Sequence, residues 1–545
     1  MSIATDKTVA SSENSDGSLP EGWAACQIEA AGKWATGGTP SRKNPEYFGG
    51  KIPWVKSGDL NDGRITATEE YISQEGLANS AAKILPSGTL SIALYGATIG
   101  KLGLLEIEAA TNQACANCIV DELHFDRSYL FYYLLSQRQS LIEAGQGGTQ
   151  PNLTNKIVRD WPLHLPPLAE QKRIVAKVEA LLERVNKARE RLSRVPDILK
   201  KFRQSVLAAA CSGRLTADWR EEHGNVEPAD ELICRTRDER QAKWEEAEMA
   251  KYAAGGRTGG SNNWKSKYKP AVEIDTDSLF ELPETWMWVS FDEVSAQSLY
   301  GPRFGADEYV SEGVPTIRTS DMDYRGNIDF DNPPRLEIEE RAKPHFCLKR
   351  NDLLVTRTGA TIGKCALFDS ELGEAIASAY LIRYRLTTST TDPKYLLNFL
   401  MSPQGQERLV GGTQASAQPN INTKAIARIP LPLAPLDEQR EIVRRVDFLL
   451  DYAIEIEDRV STGTRRTEKI GQSVLAKAFA GELVETEADL ARREGREFEP
   501  ASVLLERIAA ERAAESNGSP SGRSNVRRNV KNLSQYRNDS FPPRP

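Results

Sequence analysis

The hexapeptide GATIGK stands at 96–101 and again at 359–364 in this 545-residue chain, and no other stretch so invites a chemical reading. A phosphate-binding loop needs G-x4-G-K-[ST], because its amides must curl round a phosphate and its last hydroxyl must meet Mg²⁺. GATIGK has one residue too few between its glycines, and Leu102 or Cys365 where the hydroxyl belongs. It predicts a tight turn after a strand, with Lys101 and Lys364 left as exposed cations. The four histidines, His124, His164, His223 and His345, stand neither in H-E-x-x-H nor beside G-x-S-x-G, so metal-assisted hydrolysis and Ser-His chemistry have no sequence support. Cys115 and Cys118 form one C-x-x-C without a second pair or H-x3–5-H to complete a zinc tetrahedron. They read as small buried residues of a strand, and the seven scattered cysteines as reduced thiols.

DNPPRL at 331–336 has the Asn-Pro-Pro of the motif with which amino-methyltransferases grip a flipped base, but Arg335 replaces the aromatic ring that would stack on it. It reads as a surface turn, and nothing else in the sequence supplies a nucleotide or S-adenosylmethionine fingerprint. The chain is therefore expected to make no bonds itself and to bind no cofactor or metal. A net charge of −7 argues weakly against indiscriminate nucleic-acid binding and says nothing of local patches. No run approaches the ~20 apolar residues of a membrane helix, and the polar first residues lack a signal-peptide layout. A soluble, cytoplasmic protein without membrane contact is the expectation.

The elements that must position GATIGK are themselves repeated. LPEGW at 19–23 answers LPETW at 282–286, and IPWVKSGDL at 52–60 answers VPTIRTSDM at 314–322. GGTQPNLTNKI at 147–157 answers GGTQASAQPNINTKAI at 411–426, LPPLAEQKRIV at 165–175 answers PLAPLDEQREIV at 432–443, and SVLAAACSGRL at 205–215 answers SVLAKAFAGEL at 473–483. With EPADELICRTRDER at 227–240 echoed by EPASVLLERIAAER at 499–512, the offset stays between 262 and 272, which marks a tandem duplication of a whole unit. The fold expected is α+β: two homologous mixed α/β globular domains, at 19–165 and 282–433, separated by long helices in an internal pseudo-two-fold repeat. Each domain should carry a helix, at 127–144 and 393–410.

Helical spacers are expected at 166–216 and 434–484. Ile174, Val178, Leu181, Val185, Ala188, Leu192 and Val195 recur in steps of four and three, the heptad seam of a coiled coil. Ile442, Val446, Leu449, Ala453, Ile456 and Val460 repeat that spacing at an offset of 268, so the two helices read as each other's antiparallel partners. Pro166, Pro167 and Pro435 set the helix starts, and Gly213 and Gly481 suit C-terminal caps. Pro196 is expected to interrupt the first helix and STGT at 461–464 the second, leaving a first strut of about 42 Å over 168–195. The remaining segments read as a disordered N-terminus at 1–18, a charged helix and flexible linker at 217–281, a C-terminal helix at 485–514 and a disordered basic tail at 515–545.

The ordered, duplicated series LPEGW/LPETW, GATIGK/GATIGK, PLAEQKRIV/PLDEQREIV and SVLAAACSGRL/SVLAKAFAGEL, spread over 19–216 and 282–484, resembles the specificity subunit of type I restriction–modification systems, a host-defence family. The resemblance implies that each globular domain is a target recognition domain reading one half of a split, asymmetric sequence in double-stranded DNA. It implies an antiparallel coiled coil on which two methylation subunits dock, and restriction/translocase subunits beyond them. S-adenosylmethionine, ATP and Mg²⁺ then belong to those partners, and this chain carries no active site. A strut of about 42 Å against a DNA turn of roughly 34–36 Å suits two readers spaced about one turn apart. The competing reading is a scaffold that gathers proteins without touching DNA.

Polar and cationic residues beside the matched turns are the candidate DNA contacts: Lys56, Ser57, Tyr95, Thr98 and Lys101 in the first domain, and Arg318, Thr319, Ser320, Arg357, Thr358, Thr361 and Lys364 in the second. Gln150, Asn152, Gln418 and Asn420 lie in loops that could reach a groove. Arg318 and Arg357 stand out because a guanidinium can grip guanine or phosphate with two hydrogen bonds. Each domain has three more acidic than basic residues, so any DNA-facing patch must be local.

Overall fold

The computed structural model describes residues 19–145, 152–254, 265, 267–359, 361–411 and 420–517. The 1–18 segment, most of the Gly-rich linker, and all but the first three residues of the 515–545 tail lie outside them. The chain folds as two compact units of discontinuous sequence, 1–191 with 463–545, and 192–462.

In the first unit a five-stranded sheet runs Gly32–Thr36, Cys115–Val120, Leu90–Ala93, Leu102–Leu105, Gly63–Ile65 in spatial order. A second sheet orders Tyr71–Ile72, Phe48–Val55 and Ala110–Thr111, and Ala24–Gln27 pairs antiparallel with Pro162–Leu165. Cys115 and Cys118 occupy one strand as expected, but three residues apart they face opposite sides of it. Cys115 packs with Val55 and Leu60, and Cys118 with Phe125 and Tyr129, so the two thiols belong to different clusters. Burial pushes both thiols up to about 12.

The second unit repeats the plan. Ser295–Tyr300, Leu381–Leu386, Leu353–Thr356 and Cys365–Leu367 form one sheet. Tyr309–Val310, Arg335–Leu336, Val314–Ile317 and Ile376–Ala377 form another, and Met287–Ser290 pairs with Pro430–Leu433. DNPPRL is a bend that leads into the short strand Arg335–Leu336.

The domain helices differ. Arg127–Ala144 is continuous, as expected, with Asp126 accepting from the N–H groups of Ser128 and Tyr129 at 2.9 Å each. Its counterpart breaks into Pro393–Met401 and Pro403–Gly411, where a single helix was expected. Pro403 has no N–H to give and biases Ser402 out of the helical region, so Ser402 turns extended and its hydroxyl accepts from Gly405 N at 3.1 Å. The C-terminal segment likewise forms two helices, Glu487–Glu494 and Ala501–Asn517, parted at Gly495, which sits at φ +64°.

The long helices are uninterrupted, contrary to the sequence expectation: Leu168–Cys211 and its partner Leu436–Phe479 each run 44 residues, about 66 Å. Pro196 lies on an exposed face, and the buried seam simply continues past it through Leu199, Phe202, Val206 and Ala210. In the second helix the seam goes on beyond Val460 as Thr464, Thr467 and Gly471, residues too polar or small to register as a hydrophobic stripe, and then as Val474 and Ala478. Within the first unit Ile174, Val178 and Leu181 pack with Val474, Ala478 and Phe479. Within the second, Phe202, Val206 and Ala210 pack with Ile442, Val446 and Leu449. Head meets tail in both, so the pair is an antiparallel coiled coil. Of the expected seam, Ile174, Val178, Ile442, Val446 and Ala453 are buried, and Leu181, Val185, Ala188, Leu192, Val195, Leu449, Ile456 and Val460 are half-buried. Each fully buried aliphatic side chain contributes about 1.5–3 kcal/mol, which is why the seam overrides one proline.

Two matched joints fasten each domain to its helix. In the first unit the Trp23 indole donates to Glu170 at 2.8 Å, and Gln171 accepts from Asp126 N while donating to the Pro166 carbonyl. In the second, the Trp286 indole donates to Glu438 at 2.8 Å, and Gln439 accepts from Asp392 N while donating to the Ala434 carbonyl. These contacts explain why LPxxW and the Glu-Gln of the helix starts recur together. The joints are completed differently. Glu487 N donates to Glu170 at 2.7 Å, whereas Thr216 and Arg220 both meet Glu438. The segment after each helix closes the joint of the other repeat, with Ala501 N donating to the Gly22 carbonyl and Ala229 N to that of Thr285.

Candidate nucleic-acid interface

GATIGK is a β-hairpin turn in both copies, joining Leu90–Ala93 to Leu102–Leu105 and Leu353–Thr356 to Cys365–Leu367. Gly96 and Gly100 stand at φ +82° and +75°, Gly359 and Gly363 at +83° and +86°, backbone that L side chains rarely adopt. The hydrogen bonds match one for one: Ile99 N to Gly96 O, Gly100 N to Ala93 O and Lys101 N to Thr98 O answer Ile362 N to Gly359 O, Gly363 N to Thr356 O and Lys364 N to Thr361 O. The hexapeptide is spent on its own geometry.

Other candidate segments converge on this turn. Tyr95 bridges to Asn152, and Thr358 to Asn420, each as an isolated antiparallel bridge. Leu153 N donates to Leu94 O at 2.8 Å, and Ile421 N to Arg357 O at 2.9 Å. The Lys56-Ser57 and Arg318-Thr319-Ser320 segments form short 3-10 turns, Ser57–Asp59 and Thr319–Asp321. In both, the carboxylate of the third residue accepts from the backbone N–H of residue 56 or 318 at 2.8 Å. The loop after this turn is tied back to the hairpin. In the first domain Arg138 pairs with Asp62 and donates to Gly100 O at 2.9 Å, and in the second Lys364 Nζ donates to Met322 O at 2.7 Å. Three segments distant in sequence thus share one edge of each domain. Gln150 and Gln418 lie outside the described residues.

The cations on this edge differ in what they have left to offer. Lys364 is not the exposed cation expected: it is 9% exposed, its ammonium held by the carbonyls of Met322 and Thr319 and seated over the Tyr324 ring. Lys101, half-buried, is not fully exposed either. Arg318 donates through Nε and a terminal nitrogen to Asp321, a bond that raises its pKa. Lys56 is bonded to Glu70 at 2.7 Å, which raises its pKa and lowers that of Glu70. Arg357 has no paired carboxylate among the described residues. Its guanidinium lies 4.6 Å from the centroid of Tyr300, and Nε points to Asn420 Oδ1 at 3.4 Å. Ser57, Thr98, Thr319, Thr358, Thr361 and Asn420 are half-buried, whereas Tyr95, Asn152 and Ser320 are exposed.

The sequence reading missed Asp59 and Asp321, although both stand in the matched KSGDL and RTSDM. It also missed Tyr300, Tyr324 and Tyr380, exposed aromatics at 36%, 59% and 63% beside the second hairpin. Alignment of the repeats could not flag Tyr300, because the residue in its place is Thr36. Among the described residues no cluster of His, Cys, Asp and Glu is arranged to hold a metal ion, and no helix is long and apolar enough to cross a membrane.

Comparison with known proteins matches both repeats. The family model of the type I restriction modification DNA specificity domain matches twice, at residues 20–193 and 283–462. The EcoBI type I restriction enzyme specificity subunit of Escherichia coli is 31% identical over 74% of this chain and 76% of its own length. The EcoDI specificity subunit, also from Escherichia coli, is 26% identical over 92% and 97%. The fold is shared with the HsdS subunit from Thermoanaerobacter tengcongensis, at TM-score 0.50 and 19% identity over 85% of this chain and 98% of that one. With one matched domain on each repeat and a relative of that identity along most of its length, the chain belongs to the type I restriction–modification DNA specificity family.

Proposed function

We propose that this chain is the DNA-sequence specificity subunit of a type I restriction–modification complex. Each recognition domain reads one half of a bipartite, asymmetric target in double-stranded DNA, and the coiled coil docks two methylation subunits, to which restriction/translocase subunits add. The observation that carries the reading is the duplicated edge: one backbone frame of hairpin, bridge and 3-10 turn, built twice and furnished with different side chains. Duplication of the frame supplies a two-fold-like platform, and divergence of the side chains supplies an asymmetric target. The chain is the non-catalytic member. On this reading S-adenosylmethionine, ATP and Mg²⁺ belong to the partner subunits.

A docking face suits the coiled coil. On the second long helix Phe448 and Tyr452 stand one turn apart, 70% and 53% exposed. Aromatic anchors of this size are typical of the fully desolvated centre of a protein interface.

The test is a domain exchange. Replacing residues 19–165 by the same region of a relative, assembling the complex and mapping methylated adenines should change one half-site and leave the other and the assembly intact. If the methylated sequence stayed the same, or methylation occurred without regard to sequence, the reading would fail and a protein-gathering scaffold would remain.

A further inference from the structure

Residues that the two recognition domains share cannot tell two different half-sites apart, so discrimination must come from positions where one frame carries different chemistry. Leu94 and Arg357 are such a pair. Both follow the same strand, both donate their N–H to a matched carbonyl, of Ala114 at 2.8 Å and of Tyr380 at 3.0 Å, and both accept from the residue after the bridging asparagine. Their surroundings differ in step. Thr36 accepts from Asn155 Nδ2 at 2.9 Å in the first domain. At the matching place in the second, Tyr300 accepts from Thr423 N at 3.1 Å and lays its ring beneath the guanidinium of Arg357. Leu94 is 5% exposed and apolar.

Resting on the specificity-subunit reading above, we infer that Arg357 is the base-reading arginine of the second recognition domain, with guanine as its ligand, and that Tyr300 and Asn420 are its positioning residues. A cation serving the sugar-phosphate backbone, which is alike in both half-sites, would be wanted in both domains, yet the first has leucine there. The internal bonds of Arg318, Lys56 and Lys364 leave those cations committed. Arg357 alone among the second domain's candidate cations has neither a carboxylate nor a carbonyl on its terminal nitrogens among the described residues. The Tyr300 ring and the contact of Nε with Asn420 engage one side of the guanidinium and leave its two terminal nitrogens, whose parallel N–H groups suit guanine O6 and N7. The first domain reads its half-site without this device.

The experiment uses the full chain assembled with its methylation subunits. Binding and adenine methylation are measured on duplexes in which each base pair of the second half-site is substituted in turn. Arg357→Leu installs what the first domain carries naturally, and should abolish discrimination at one G·C pair, on the order of tenfold or more, with the first half-site unchanged. Arg357→Lys keeps the charge but loses the fork, so it should relax the same base pair while leaving the salt dependence of binding as it was, and it carries the test should the leucine variant not fold. Tyr300→Thr should relax that pair too, whereas Tyr300→Phe, which keeps the ring, should not. Equal weakening on every duplex with a shallower salt slope would make Arg357 a phosphate contact and overturn the inference. Unaltered discrimination in both Arg357 variants would overturn it as well. Exchange of residues 282–433 separates the two levels: if that exchange changes the second half-site while the Arg357 variants do not, the inference falls and the functional reading stands.

Discussion

Glu170→Ala tests the joint between the first recognition domain and its helix. Glu170 is fully buried, and its two oxygens accept from the Trp23 indole at 2.8 Å and from Glu487 N at 2.7 Å. Truncation leaves both donors buried without an acceptor, at about 1–3 kcal/mol each. Part of that is offset, because burial already penalises the carboxylate and raises its pKa. A net loss of about 2–4 kcal/mol is expected, confined to the first unit. A chain of two units is not a two-state system, so a global melting point is the wrong measurement. Amide hydrogen exchange on the intact protein resolves the units. Peptides covering 19–31 and 486–508 should exchange roughly 30- to 800-fold faster, at tenfold per 1.4 kcal/mol, while those covering 212–233 and 282–294 keep their rates. Glu438→Ala should do the reverse. Should Glu170→Ala leave 486–508 within about threefold of the parent, or accelerate both units alike, the joint is not what holds the C-terminal segment to the first domain.

Gly100→Ala should destabilise the first hairpin more than Gly96→Ala. Both sit at positive φ, worth about 1–2 kcal/mol, but a Cβ at Gly100 would also meet Arg138 Cγ at 3.1 Å and Ile142 Cδ1 at 3.2 Å, whereas nothing lies within 4 Å at Gly96. Exchange rates across 90–105 measure the difference. Phe448→Asp should weaken association with the methylation subunits at least tenfold in a titration, and leave the methylated sequence of the residual complex unchanged. Bonds from Arg444 and Arg445 hold Glu441 down to about 2. A depressed carboxylate stabilises the folded state above its unfolded pKa of about 4.3, so its contribution should fade as pH falls from about 4 toward 2, and Glu441→Gln should remove that part of the acid titration of the second unit. Cys234, exposed, should be alkylated in the native protein, and Cys115 and Cys118 only on unfolding.

The order of the repeat was legible in the sequence because duplication leaves identical words at a constant offset. So were the helix starts at Leu168 and Leu436, where proline precedes a Glu-Gln pair, and the helix ends near Gly213 and Gly481, both at positive φ. The seam up to Val195 and Val460 could be read from its spacing. Its continuation could not, because Pro196 and Gly463 are local signals against a helix, and only the burial of Leu199, Val206 and Ala210 on one side, and of Val474 and Ala478 on the other, outweighs them. The break at Ser402 went unseen for the opposite reason: an apolar pattern ran on across a proline that no buried seam overrode.

For the interface, the sequence by itself determined which segments are repeated and that GATIGK cannot hold a phosphate in the manner of a nucleotide-binding loop. Only the tertiary structure decided that the hairpin, the asparagine bridge and the 3-10 turn meet on one edge, and which cations there remain uncommitted. Lys364 and Arg357 look equally available as letters, yet one ends beneath carbonyls and the other above a tyrosine ring. The physical reason is range. Turn geometry and heptad spacing are set by neighbours a few residues away, as is the pairing of Arg318 with Asp321, whereas the carbonyl of Met322 that holds Lys364 and the Asn420 and Tyr300 side chains that orient Arg357 are brought by folding from segments more than forty residues distant.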